Sequence, residues 1–120
     1  MVPTDPDELF EPQKQKRRHP RTKITVKVEL HLERVRTPLR VKTADLSLGG
    51  LYTEMMFTLE VGTKLKVVLR LNDVKVITGG VVTTRDLQGG NGIEFTDMAP
   101  EDHAKLKRFL ATAQDTTSAT

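Results

Sequence analysis

Asp45-Leu46-Ser47-Leu48-Gly49-Gly50 is the stretch whose residue types and spacing could do chemistry. A carboxylate and a hydroxyl two residues apart in an extended chain point the same way. Asp45 and Ser47 could therefore face one ligand while Leu46 and Leu48 face the core. Gly50 removes a side chain where a ligand or a tight turn needs room. The same residues also suit an ordinary turn, in which aspartate and serine bond nearby backbone. A second candidate lies upstream, Lys16-Arg17-Arg18-His19-Pro20-Arg21, with Arg17 and Arg21 four residues apart. Lys14, Lys16, Arg17, Arg18, Arg21 and Lys23 follow one another without an acid between them. Such a run is either a solvated arm or a site for an anion. Pro20 stiffens the chain before Arg21 and biases His19 toward extended geometry.

The elements that must position these groups follow from hydrophobic periodicity. Residues 22–32 alternate, with Ile24, Val26, Val28, Leu30 and Leu32 on one side, which predicts a half-buried strand. A second strand runs from Leu39 to about Asp45, with Pro38 near its start, where a missing N–H is tolerated. Gly49-Gly50 turns or interrupts it, and residues 51–55 continue extended. Residues 59–63 are a connection with a turn at Gly62. Leu65, Val67, Leu69 and Leu71 alternate again, and Asn72-Asp73 predicts a tight hairpin into Val74-Lys75-Val76-Ile77. Gly79-Gly80 is a candidate bulge or barrel bend in the long strand that resumes to Arg85. Gly-rich residues 88–92 form a turn, and Ile93 and Phe95 mark the last strand. The period then changes. Pro100, Glu101 and Asp102 suit a helix start, and Ala104, Leu106, Phe109 and Leu110 fall close to one helical face.

About six short antiparallel strands and one helix argue for an all-β fold, a small barrel with a C-terminal α-helix packed on it. The 120 residues suffice for one domain with a real core. Residues 1–15 read as a flexible N-terminal tail, 16–112 as the barrel domain with an arm at 16–22, and 113–120 as a disordered C-terminal tail. Net charge is +3, with no cysteine and three scattered histidines, so disulfide frameworks, thiol chemistry and cysteine-based zinc sites are excluded. No apolar run approaches the ~18 residues of a membrane span. The acidic, Pro-containing start is unlike a signal peptide, so a cytoplasmic location is expected.

The order is an arginine cluster, two strands, then Asp-x-Ser-x-x-Gly at Asp45, Ser47 and Gly50. It resembles the PilZ domain, the bacterial receptor module for cyclic di-GMP, over residues 16–112. The resemblance implies a six-stranded, split-barrel type β-barrel with a C-terminal helix. It also implies a non-enzymatic receptor or adaptor that needs no cofactor. By resemblance, Arg17 and Arg21 grip guanine and phosphate, for which a planar guanidinium fork is suited. Asp45 and Ser47 hold a guanine or orient an arginine, and Gly50 lets the ligand approach the backbone. Lys16, Arg18, Gly49 and Arg85 are further candidates. Lys16 immediately before the arginine pattern goes, in this family, with an intercalated dimer of the ligand, so a 2:1 ratio is expected. A ligand bridging arm and barrel would pin the arm and change the surface shown to a downstream protein. A ligand-independent protein–protein module is the alternative. Single-stranded nucleic acid fits poorly, because such surfaces need stacking aromatics and only Tyr52 and four phenylalanines are present. No nucleophile–base pair, metal cluster or paired carboxylates point to an enzyme.

Overall fold

The computed structural model describes residues 20–55 and 58–119. The alternating segments form β1 (Lys27–Leu32), β2 (Leu39–Leu46), β3 (Gly50–Glu54), β4 (Lys64–Leu71), β5 (Val74–Asp86) and β6 (Gly90–Thr96). They close into an antiparallel barrel in the order β1-β2-β3-β6-β5-β4. Pairing of β1 with β4, from Lys27↔Arg70 to Leu32↔Leu65, completes the ring. The fold class expected from the sequence is therefore the one that forms.

The interior is built in rows, because directly opposed residues on neighbouring strands share a face. One row is Leu46, Leu51, Ile93 and Val82, each at most 2% exposed. Full burial of such side chains contributes about 1.5–3 kcal/mol each. The next inward row is polar: Thr43, Thr53 and Asn91 are buried, and Arg85, at its open end, is exposed. Between these two rows lies an outward-facing one, Asp45, Tyr52, Gly92 and Thr84.

Two bulges make that arrangement possible. The β2–β3 register shifts between Thr43 and Asp45, leaving Ala44 as the extra residue. Leu39, Val41 and Thr43 point inward before it and Leu46 after it, so Asp45 is aimed outward, the kind of re-aiming bulges provide. The same bulge explains why the strand expected over 22–32 begins only at Lys27. The segment still follows β2, through a Thr22↔Leu46 bridge. Thr43 Oγ1 donates to the Ile24 carbonyl and accepts from the Val26 N–H, at 2.6 and 2.9 Å. The ladder is broken where β2 bulges. The second bulge, between Val82 and Thr84, corrects the expectation of one at Gly79-Gly80. That pair is in regular register with both neighbours. A Cβ at Gly80 would stand 2.9 Å from Val67 Cγ2 and 3.0 Å from Ile93 Cγ2, so the glycine makes room for packed core side chains rather than for a bulge.

Asn72 takes a left-handed φ of 56° in the expected β4–β5 hairpin, a conformation asparagine tolerates. The final strand starts at Gly90, three residues before Ile93, because Gly90, Asn91 and Gly92 pair with β3. The helix α1 (Pro100–Ala119) has Pro100 at its first position, with His103 N–H bonding the Ala99 carbonyl at 2.9 Å. Leu106 and Leu110 are buried and Phe109 packs against the core, whereas Ala104 is exposed. The helix runs past residue 113, where the sequence reading began a tail; no glycine or proline stands there to stop it. Among the described residues no helix is long and apolar enough to cross a membrane.

Candidate ligand-binding site

The Thr22↔Leu46 bridge fixes the base of the arm against the end of β2, with Thr22 N to Leu46 O at 2.8 Å and Leu46 N to Thr22 O at 2.9 Å. Arg21 and Asp45 flank this bridge. Arg21 Nη1 donates to Asp45 Oδ1 at 3.4 Å, joining residues 24 apart in sequence. The Arg21 and Asp45 side chains are 41% and 22% exposed, so this is a long, solvent-screened pair worth about 0–1 kcal/mol. A guanidinium carries five N–H donors, and this contact engages one nitrogen. The pair is thus easily exchanged for ligand groups.

Ser47 behaves differently from the expected face shared with Asp45. The strand ends at Leu46, and Ser47 is only 5% exposed. Its Oγ accepts from the N–H groups of Gly49 and Gly50, both at 3.1 Å, and donates to the Gly50 carbonyl at 3.2 Å. The hydroxyl thereby shapes the turn between β2 and β3. Phe95 N–H bonds the Gly49 carbonyl at 2.9 Å, locking that turn to β6. A Cβ at Gly50 would collide with the Ile93 carbonyl oxygen, so glycine is required there by the close approach of the β6 backbone, rather than by the ligand or tight turn expected from the sequence.

Arg85 is not brought to this patch. It lies in the inward row at the barrel's open end, and its Nε donates to Thr58 Oγ1 at 2.8 Å. Lys16, Arg17, Arg18 and His19, and with them most of the expected arm, lie outside the described residues.

Two residues passed over in the sequence hold the neighbourhood together. Asn91, read only as part of a Gly-rich turn, is fully buried. Its Oδ1 accepts from Leu59 N–H at 2.7 Å, and its Nδ2 donates to the carbonyls of Leu59 and Thr84 at 2.9 and 3.1 Å. It clamps the β3–β4 connection to the barrel. Tyr52, directly opposite Asp45, donates its hydroxyl to Asp86 Oδ2 at 3.2 Å. Burial, and then the charge and hydrogen bond of Asp86, push the phenol above its ordinary value of 10.0. Gly92 opposite the chain's single tyrosine, and Gly90 diagonal to it, were the available signal for its placement.

The PilZ domain family pattern matches residues 15–112, most of the chain. The Bacillus subtilis inhibitor of motility, MotI/DgrA, is similar in structure at TM-score 0.70 and 20% identity over 82% of this chain, which spans 51% of that one. The PilZ domain of CeSA from a cellulose-synthesizing bacterium matches at TM-score 0.64 and 18% identity, covering 79% of this chain and 98% of its own. The PilZ domain of Escherichia coli YcgR, solved with c-di-GMP, matches at TM-score 0.66 and 17% identity, covering 88% and 100%. No curated protein sequence matches. With the match spanning both motifs and the whole barrel, the chain belongs to the PilZ domain family.

Proposed function

We propose that the chain is a non-enzymatic receptor for cyclic di-GMP that works as an adaptor toward a second protein. The observation that carries this reading is the meeting of Arg21 and Asp45 at 3.4 Å across 24 residues. One residue of each motif, the two being separate in sequence, thus stands beside the other at the surface. Phosphates and guanine O6/N7 are acceptors and suit the free N–H donors of Arg21, joined by Arg17. The guanine N1–H and N2–H₂ edge donates and suits the carboxylate of Asp45. Ser47 contributes through the turn it shapes, and Gly50 by letting that turn pack closely on β6. The YcgR domain solved with c-di-GMP has the same fold, which supports the choice of ligand.

The arm's base is anchored at Thr22 by its bridge to Leu46. Ligand bridging Arg17 and Arg21 to the barrel would fix the arm and alter the surface offered to the partner. Lys16, with Arg18 beside it, supplies charge for an intercalated pair of ligands carrying four phosphates.

Calorimetric titration of cyclic di-GMP into the wild-type protein and Arg21→Ala tests this. Saturable binding of about −8 kcal/mol or better, that is, micromolar or tighter, is expected for the wild type and is lost in the variant. A stoichiometry near one overturns the paired-ligand reading alone. Absence of binding by the folded wild-type protein overturns the receptor reading and favours a ligand-independent interaction module.

A further inference from the structure

Tyr52 bridges three strands. It sits on β3, its Cα partner on β6 is Gly92, and its hydroxyl reaches Asp86 on β5. To span that distance the side chain crosses the outer surface of β6, and it does so over Gly90. A Cβ at Gly90 would run into the hydroxyl oxygen, Cζ and Cε2 of the tyrosine. The ring is therefore laid along the sheet, backed by bare backbone and tethered at its tip, and the residue stays half-exposed. Among the described residues it is the one aromatic on the outer face, since Phe95 and Phe109 pack against the core.

The charges around it define what it can accept. Asp45 is its cross-strand neighbour, and in such pairs the Cβ atoms lie about 4.5–5.5 Å apart. Asp86 holds its hydroxyl, and Glu54 and Asp45 are close enough to act on the phenol through their charge. A phosphate is repelled from this group of carboxylates, whereas the N–H edge of a neutral base is attracted. Arg21 lies on the other side of Asp45 and supplies the cationic end. The patch thus divides into an anion-binding end and a flat, N–H-accepting end.

We propose that Tyr52 is a base-stacking platform of the binding site, taking the face of one guanine while Asp45 accepts from that guanine's N1–H and N2–H₂ edge. This rests on the receptor reading above and assigns a specificity-determining residue that neither motif contains. A ring already tethered loses little conformational freedom on binding. Removing an aromatic base platform weakens binding about tenfold to a hundredfold.

The chain has one tyrosine and no tryptophan, so tyrosine emission reports this residue alone. Cyclic di-GMP is titrated into the wild-type protein and followed by calorimetry and by tyrosine emission, with tyrosine amide as the absorption control. Emission is expected to be quenched along the same saturation curve as the heat. Tyr52→Phe, which keeps the ring, should bind within about threefold of wild type, and Tyr52→Ser should lose about tenfold or more. Cyclic di-AMP, whose base presents an acceptor where guanine presents N1–H, should bind the wild type more weakly. Saturating heat with unchanged emission overturns the inference and leaves the receptor reading standing, as does wild-type affinity in Tyr52→Ser. No heat with the wild-type protein overturns both.

Discussion

Replacing Asn91 with alanine should cost the barrel about 3 kcal/mol. The side chain is fully buried and makes three hydrogen bonds, to both backbone groups of Leu59 and to the Thr84 carbonyl. A buried backbone group stripped of its partner costs about 1–3 kcal/mol. Leu59 is half-buried, so water recovers part of the loss, and the low end applied to three groups gives about 3 kcal/mol. For a domain of this size each kcal/mol lowers Tm by about 4–8 °C, so the midpoint should fall by roughly 12–24 °C. Thermal unfolding by circular dichroism, backed by a urea titration, reads this directly. Hydrogen exchange at the Leu59 amide should accelerate in the same variant. A loss under about 1 kcal/mol with the Leu59 amide still protected would show that the β3–β4 connection is held by something other than Asn91.

Arg21→Ala should leave stability within about 1 kcal/mol of wild type, because the ion pair it breaks is long and exposed; a larger loss in urea would mean the arm's base is structural. Gly80→Ala should destabilise by about 1–3 kcal/mol by crowding Val67, Ile93 and Leu65, and an unchanged urea midpoint would refute tight packing there. The hydrogen bond from Arg70, opposed by partial burial and assisted by His31, holds Glu29 below its ordinary value of 4.5. Its stabilisation is therefore present above that value and lost as pH falls through the lowered folded-state value. Arg70→Ala should move the Glu29 carboxyl upward in an NMR titration, and no movement would refute the contact. Tyr52 is raised, so its contribution is present below 10.0 and lost as pH rises through the higher folded-state value. Asp86→Asn should lower it only part of the way to 10.0, since burial, the largest single cause, and the charges of Glu54 and Asp45 remain, and phenolate absorbance of the single tyrosine would show whether it does.

The barrel was legible because period-two alternation survives wherever a strand has one buried face, as in β4. The helix was legible because its period and Pro100 agree. Bulges were not, since a single extra residue such as Ala44 or Thr83 carries no composition signal and only shifts parity. Gly79-Gly80 looked like a bulge because a glycine demanded by neighbouring side chains and one demanded by the backbone read alike in sequence. Asp45 and Arg21 could be singled out from their types and spacing, and Arg21–Asp45 contact then depended on a bridge at Thr22 that no local pattern encodes. Ser47 reads the same whether its hydroxyl faces a ligand or closes a turn. Asn91 and Tyr52 escaped because their partners, Leu59 and Asp86, lie 32 and 34 residues away.

Closure of β4 onto β1 has a consequence for how such a protein can be read by others. Every strand of the ring has a neighbour on both sides, so no edge strand is left for an extended peptide to lengthen the sheet by strand addition. Recognition of this barrel is left to side chains, turns and the helix.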